Sequence, residues 1–184
     1  NGYFLGEHTF NDKRLAYENS MRVPMLIRYP KLINPKTVIE QQCLNIDIAP
    51  TILDIAGVEI PAYMQGNSML NLLNGASVDE WRTSILFEYY LDTYWPYAGP
   101  NQIAIRTDRY KLVDTFLKND IDELYDLKND PGEMVNLINS ESYDDIELNL
   151  RQEAENLKAQ FKYRADRDWW LRKVLKEKNV KKNK

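Results

Sequence analysis

Asn1, His8 and Lys13 open the chain with three side chains that can act on an anion and its leaving group. An amide oxygen can ligate a hard cation, an imidazole can carry a proton near neutral pH, and a lysine ammonium is a compact charge with three donors. The stretch reads Asn1-Gly2-Tyr3-Phe4-Leu5-Gly6-Glu7-His8-Thr9-Phe10-Asn11-Asp12-Lys13 and runs on through Tyr17-Glu18 to Arg22-Val23-Pro24. Taken one at a time, each residue also has an ordinary reading. Asn-Gly is a common turn dipeptide, and a lone lysine is a solvated charge. His8, the only histidine, could pack a loop as readily as touch a substrate or donate a proton. Tyr17, Glu18 and Arg22 read as structural residues tying this loop to the strand that follows.

Elements on either side must hold such a loop in place. Met21–Tyr29 is β-favouring and bounded by Pro24 and Pro30, which predicts a buried strand entered from a loop. Asn34–Thr37 is a turn. Asn45–Ala56 spaces Ile46, Ala49, Ile52, Leu53 and Ala56 by threes and fours, an amphipathic helix with Pro50 in its first turn and Gly57 as the C′ residue. Ser68–Leu73 predicts a short helix closed by Gly75. Ser84–Tyr90 reads as a strand, and Ile103–Val113 as a hairpin turning at Thr107–Arg109. Glu123–Leu127 is a further short strand, followed by a turn at Asn129–Gly132. Ser142–Asp168 predicts one long helix with Ile146, Leu150, Ala154, Leu157 and Phe161 as its apolar stripe. Residues 1–80 therefore read as alternating strand and helix, the end of an α/β domain, and residues 81–184 as a small antiparallel sheet covered by a helix.

Bulk composition narrows the function classes. Of 184 residues, 43% are hydrophobic and 28% charged, which are globular values. No apolar run approaches the roughly 18 residues that cross a bilayer. One cysteine, Cys43, excludes an internal disulfide and a cysteine-based zinc site, and its apolar setting predicts a buried structural thiol. The net charge of −4 is unevenly spread: residues 119–147 carry ten acids and only Lys128 as a base, whereas Leu171–Lys184 carries seven bases and one acid. A short basic tail on an acidic chain reads as a solvated helix end and makes no case for nucleic acid.

Four blocks together resemble a known family. Asn1-Gly2 with Lys13 four residues before Tyr17-Glu18, then Asp47-Ile-Ala-Pro-Thr-Ile-Leu-Asp-Ile-Ala-Gly57, come first. Arg106-Thr-Asp-Arg-Tyr-Lys-Leu112 with Glu123-Leu-Tyr-Asp-Leu127, and Asp130-Pro-Gly-Glu-Met-Val-Asn-Leu137, come next. In this order the blocks resemble type I, formylglycine-dependent sulfatases, with some flavour of the N-acetylglucosamine-6-sulfatase-like branch. The resemblance implies the C-terminal part of an alkaline-phosphatase-like α/β sulfatase domain, plus a small antiparallel-sheet subdomain with a long C-terminal helix.

It further implies Asn1 as a ligand of a calcium ion shared with residues upstream, Lys13 as a grip on a sulfate or bridging oxygen, and His8 as a catalytic or substrate contact. A sulfated carbohydrate is the implied substrate, the N-terminal portion of the same enzyme the implied partner, and a periplasmic, secreted or lysosomal setting the implied location. No Cys-x-Pro-x-Arg or Ser-x-Pro-x-Arg occurs in these residues, so the formylglycine is expected upstream. Alone, the chain is expected to be inactive and to expose strand edges and an apolar face.

Two readings compete with this one. A phosphate or phosphonate ester hydrolase of the same superfamily would share the blocks. A non-catalytic carbohydrate- or polyanion-binding module would use the aromatic loop Tyr89–Tyr97, which could wall a sugar pocket or pack between subdomains. Arg106, Asp108, Arg109 and Lys111 resemble an anion patch, but a hairpin splits them between faces, and cross-strand salt pairing accounts for them.

Overall fold

A computed structural model of the chain describes residues 1–78, 80–90, 101–115 and 121–163. A two-stranded ribbon comes first, β1 (Phe4–Leu5) against β2 (Asn11–Asp12), joined through an irregular turn at Glu7–Thr9. Next come α1 (Glu18–Met21), α2 (Ile48–Ile55) and α3 (Leu70–Leu73). Four antiparallel strands follow in simple chain order: β3 (Ser84–Tyr89), β4 (Gln102–Thr107), β5 (Tyr110–Thr115) and β6 (Glu123–Asp126). A longer helix, α4 (Asp144–Gln160), completes the order.

The sheet is covered on both faces. Ile105, Leu112 and Leu124 lie side by side across β4, β5 and β6 and pack against Leu150, Ala154 and Leu157 of α4. On the opposite face Ala104 and Val113, also cross-strand partners, pack against Ala16, with Met21 and Phe87 alongside. Successive strand residues point to opposite faces, so β4 and β5 can be apolar in consecutive positions only because each face has a cover. The chain's first twenty residues supply one of those covers.

The helix ends follow their cap chemistry. Gly57 and Gly75 both adopt positive φ, and in each case the next two N–H groups reach back to close a Schellman motif: Gly57 to Asp54 with Val58 to Leu53, and Gly75 to Leu72 with Ala76 to Asn71. The expected helix over Ser142–Asp168 ends earlier, at Gln160. Lys162 takes the left-handed conformation at φ 52°, and the N–H groups of Lys162 and Tyr163 bond to Ala159 and Lys158, so the same motif closes α4 without a glycine.

The largest departure concerns Met21–Tyr29. No strand forms there; Leu26 is 97% exposed, and Met25, Ile27 and Tyr29 are exposed too. A strand must place its N–H and C=O groups on a neighbour, and no described strand runs beside this one. Likewise the apolar stripe of α2 faces outward, with Ile46, Ile48 and Ile52 exposed, while Asp47, Pro50 and Thr51 are buried. Asp47 is buried because it is fully partnered: it accepts from the N–H groups of Leu44 and Asn67 at 2.7 and 2.8 Å and from both terminal nitrogens of Arg82. No described helix is long and apolar enough to cross a membrane.

Candidate active site

The loop carrying Asn1, His8 and Lys13 is irregular in a way that costs free energy. His8 and Thr9 sit at φ 52° and 63°, and Asp12 at φ 129°, a region that side chains rarely adopt. Such conformations persist only where surroundings over-determine them. Here the surroundings are the sheet.

Three backbone donors pin the loop. Ala16 N–H donates to Gln102 Oε1 at 3.0 Å, Glu18 N–H to Glu133 Oε2 at 2.7 Å, and Gly2 N–H to the Ser20 carbonyl at 2.7 Å. Gly2 has no room for a side chain, since a Cβ would stand 2.0 Å from the Asn19 carbonyl oxygen. Its role is therefore close approach, not a turn.

Beneath the loop lies a buried ion cluster. Lys111, fully buried on β5, places Nζ 2.9 Å from the Ala16 carbonyl oxygen, 2.9 Å from Glu18 Oε1 and 2.6 Å from Glu133 Oε1. An ammonium has three donors, and three acceptors surround this one. Arg106, opposite Lys111 on β4, takes both oxygens of Glu18 at 3.2 Å. Burial by itself would raise the Glu18 carboxyl, but Lys111 and Arg106 outweigh it and hold the group below the ordinary range. Burial dominates at Glu133 and pushes its carboxyl up. Glu133 also has a left-handed backbone, φ 54°, a strain held in place by the same ion pair.

Thus Tyr17 and Glu18 do bear structure, but they tie the loop to β4, β5, β6 and the Glu133 turn rather than to the segment that follows. The basic hairpin residues do not pair with one another. Arg106 and Lys111 take Glu18, Arg109 takes Asp126 at 2.8 Å, and Asp108 accepts from Gln42. Among the described residues no open anion patch is left on the hairpin.

An aromatic cluster sits beside the ions. The His8 imidazole stacks on Tyr17, centroids 4.1 Å apart and planes 24° off parallel, with Phe4 edge-on to both. Tyr17 Oη donates to Glu123 Oε1 at 3.3 Å and Tyr125 Oη to Glu123 Oε2 at 3.1 Å. Burial raises the Tyr17 and Tyr125 phenols and the Glu123 carboxyl.

Among the named site residues, His8 is half-buried, whereas Asn1 and Lys13 are exposed. The Lys13 ammonium has no partner among the described residues; its backbone N–H bonds to Asp12 Oδ1, which leaves the side chain free. Asn1 Nδ2 donates to the Gly2 carbonyl at 2.7 Å, so the amide oxygen remains available. No contact joins the three side chains to one another among the described residues. One amide oxygen suits a calcium ion as a single ligand out of six to eight. No cluster of three histidine, cysteine or carboxylate side chains occurs among the described residues to complete such a site.

Sequence reasoning did not single out Gln102, Glu123, Tyr125 or Glu133. Glu123, Tyr125 and Glu133 lie in the Glu-Leu-Tyr-Asp-Leu and Asp-Pro-Gly-Glu blocks, but the tie of these residues and of Gln102 to the loop has no local signature in the sequence. The aromatic loop beyond Tyr90, the basic tail, and the Trp169-Trp170 pair, which the sequence predicts as an anchor for the end of the last helix, lie outside the described residues. Cys43 is half-buried and free, and burial raises its thiol.

Known proteins resemble this chain over most of its length. Residues 6–160 match the family described as N-sulphoglucosamine sulphohydrolase, C-terminal. Over 165 residues, 88% of the chain, the sequence is 39% identical to an N-acetylglucosamine-6-O-sulfatase of Bacteroides thetaiotaomicron, of which it covers 29%. Over 91 residues, 48% of the chain, it is 44% identical to the N-acetylglucosamine-6-sulfatase of Homo sapiens, covering 16% of that protein. A solved structure in complex with its substrate D-glucosamine-2-N,6-O-disulfate superposes with TM-score 0.82 at 36% identity, over 89% of this chain and 33% of that one. The chain spans about a third or less of the length of the relatives it matches.

Proposed function

The chain belongs to the sulfatase family, within the group described as N-sulphoglucosamine sulphohydrolase, C-terminal, and we propose that it contributes one wall of the active site of an enzyme hydrolysing sulfate esters of a glucosamine-like sugar. Its fold is that of the C-terminal part of alkaline-phosphatase-like sulfatases. On this reading residues 1–80 end the α/β catalytic domain and residues 81–184 form its subdomain. The exposed apolar residues Leu26, Ile46, Ile52 and Val58 would pack against the N-terminal portion of the same enzyme. Its setting would be the periplasm, the cell exterior or the lysosome.

The observation that carries the proposal is the contrast within the loop. Its backbone is clamped to β4 and the Glu133 turn, while the Lys13 ammonium is exposed and has no partner among the described residues. A held backbone with an unpaired cation is preorganised for an anion that arrives. Lys13 would grip a sulfate oxygen and neutralise charge on the bridging oxygen as the S–O bond breaks. His8 would contact the sugar or give its proton to the departing alkoxide. Asn1 would lend its amide oxygen to a calcium ion completed by residues outside this chain. A calcium ion there would supply the positive charge that holds sulfate oxygens. The nucleophile, a formylglycine in this family, has no precursor motif in these residues and would come from the same outside portion.

The test uses the natural polypeptide containing these residues. It should release sulfate from N-acetylglucosamine 6-sulfate faster than phosphate from the matching 6-phosphate, and a chelator should suppress turnover. Lys13→Ala should lower kcat about 10²–10³-fold, the scale of one lost charge-stabilising donor. Faster cleavage of the phosphate or phosphonate ester would favour the related hydrolase reading. Sugar binding without turnover would favour a binding module.

A further inference from the structure

Glu123 has a place in the loop that packing alone does not explain. It begins β6, far in sequence from His8, yet its two carboxylate oxygens take the phenols of Tyr17 and Tyr125, and Tyr17 is the ring on which His8 stacks. His8 stands on a left-handed backbone, preceded by Gly6 at φ 122° and followed by Thr9 at φ 63°. Backbone preference therefore does not select its direction. A near-parallel stack at 4.1 Å fixes the plane of the imidazole, and Phe4, buried and edge-on at 6.2 Å, closes another side. The ring beneath is steered in turn by its hydroxyl, which donates to Glu123 and lies beside the Tyr125 phenol.

We propose that Glu123 is a positioning residue for His8, acting through Tyr17: the carboxylate fixes the phenol, the phenol fixes its ring, and the ring sets the face that the imidazole presents to substrate. This rests on the functional reading of His8 given above. Tyr125 holds the second carboxylate oxygen and keeps Glu123 itself from turning.

His8 is the only histidine in the chain, so its imidazole protons give unambiguous NMR signals in the 184-residue polypeptide. Stacking on Tyr17 should displace them upfield. Tyr17→Leu should abolish that displacement and Glu123→Leu should reduce it strongly. Glu123→Gln, which keeps an acceptor oxygen, should restore most of it. Tyr125→Phe should reduce it only in part, because the Tyr17–Glu123 bond survives while Glu123 loses its second anchor. In the natural polypeptide Glu123→Leu should lower kcat about tenfold or more with KM within about twofold, as expected when a reacting group is misplaced but binding survives.

The proposal is overturned if Glu123→Leu leaves both the imidazole shifts and kcat at wild-type values. It is equally overturned if Tyr125→Phe moves the imidazole as far as Glu123→Leu does, since general loosening would then account for both. Should a leucine variant fail to fold, Tyr17→Phe decides the matter: it keeps the stacked ring and removes its bond to Glu123, so it should move the imidazole shifts, and wild-type shifts in it overturn the proposal. Because the imidazole shifts need no turnover, they separate this inference from the sulfatase reading: correct shifts with no sulfate release would leave the positioning intact and remove its catalytic meaning.

Discussion

Residues 1–20 and residues 22–63 are neighbours in the chain, and the structure treats them in opposite ways. The first set is irregular, strained at His8, Thr9 and Asp12, and nearly without secondary structure, yet Phe4, Ala16 and Ser20 are buried and its N–H groups reach Gln102 and Glu133 across 86 and 115 residues. The second set contains the regular helix α2 and an apolar run, yet Leu26, Ile46, Ile52, Val58 and Tyr63 are exposed. Regularity and burial have parted company. Long-range charge and hydrogen bonding decide where the first segment lies, whereas the second carries apolar surface that the described residues leave open.

If Lys111 is what holds the first segment, removing it should have the largest effect. Lys111→Met strips the only cation between Glu18 and Glu133 in a buried site and should cost about 3–5 kcal/mol, read as a lowered urea midpoint. A loss below about 1 kcal/mol would mean that the cluster does not hold the fold.

The second segment supplies the sharper contrast. Leu157→Ala in the buried face of α4 should cost about 2–5 kcal/mol. Ile52→Ala, at a position 60% exposed, should stay within about 0.5 kcal/mol in the isolated chain. The same change should weaken self-association at high concentration, measured by sedimentation. Equal costs at the two sites would erase the distinction between a closed half and an open one.

A smaller effect follows from acid. The Glu18 carboxyl is held below its ordinary value, so its stabilisation is complete above about pH 4.3 and is lost as pH falls through the depressed value. Glu123 and Glu133 are raised and act with the opposite sign, their ionisation costing stability as pH rises. The informative quantity is therefore a difference. Wild type should lose midpoint faster than Glu18→Gln on going below about pH 4.3, and parallel slopes would contradict the assignment.

Much of the sheet was legible beforehand because β-branched and aromatic content and turn chemistry are local. The hairpin at Thr107–Arg109 and the closing roles of Gly57 and Gly75 needed only near neighbours. The end of α4 was not legible, since Lys162 fills a position that usually announces itself with glycine. Met21–Tyr29 misled because β propensity describes a residue's fit to a sheet and says nothing about whether a neighbouring strand exists. In the candidate site Asn1, His8 and Lys13 were singled out by the family resemblance of their block, since residue type alone reads them equally well as a turn asparagine, a loop histidine and a surface lysine. Gln102, Glu123 and Glu133 were not, because a carboxylate or amide that holds a loop from 86 to 115 residues away has no local signature.

Amide hydrogen exchange on the 184-residue chain tests the clamp most directly. The N–H groups of Gly2, Ala16 and Glu18 should exchange about as slowly as those of β4 and β5, while those of residues 23 and 25–29 exchange within the first time points. Rapid exchange at Gly2, Ala16 and Glu18 with β4 and β5 still protected would show a loop that the sheet does not hold, and would contradict the account.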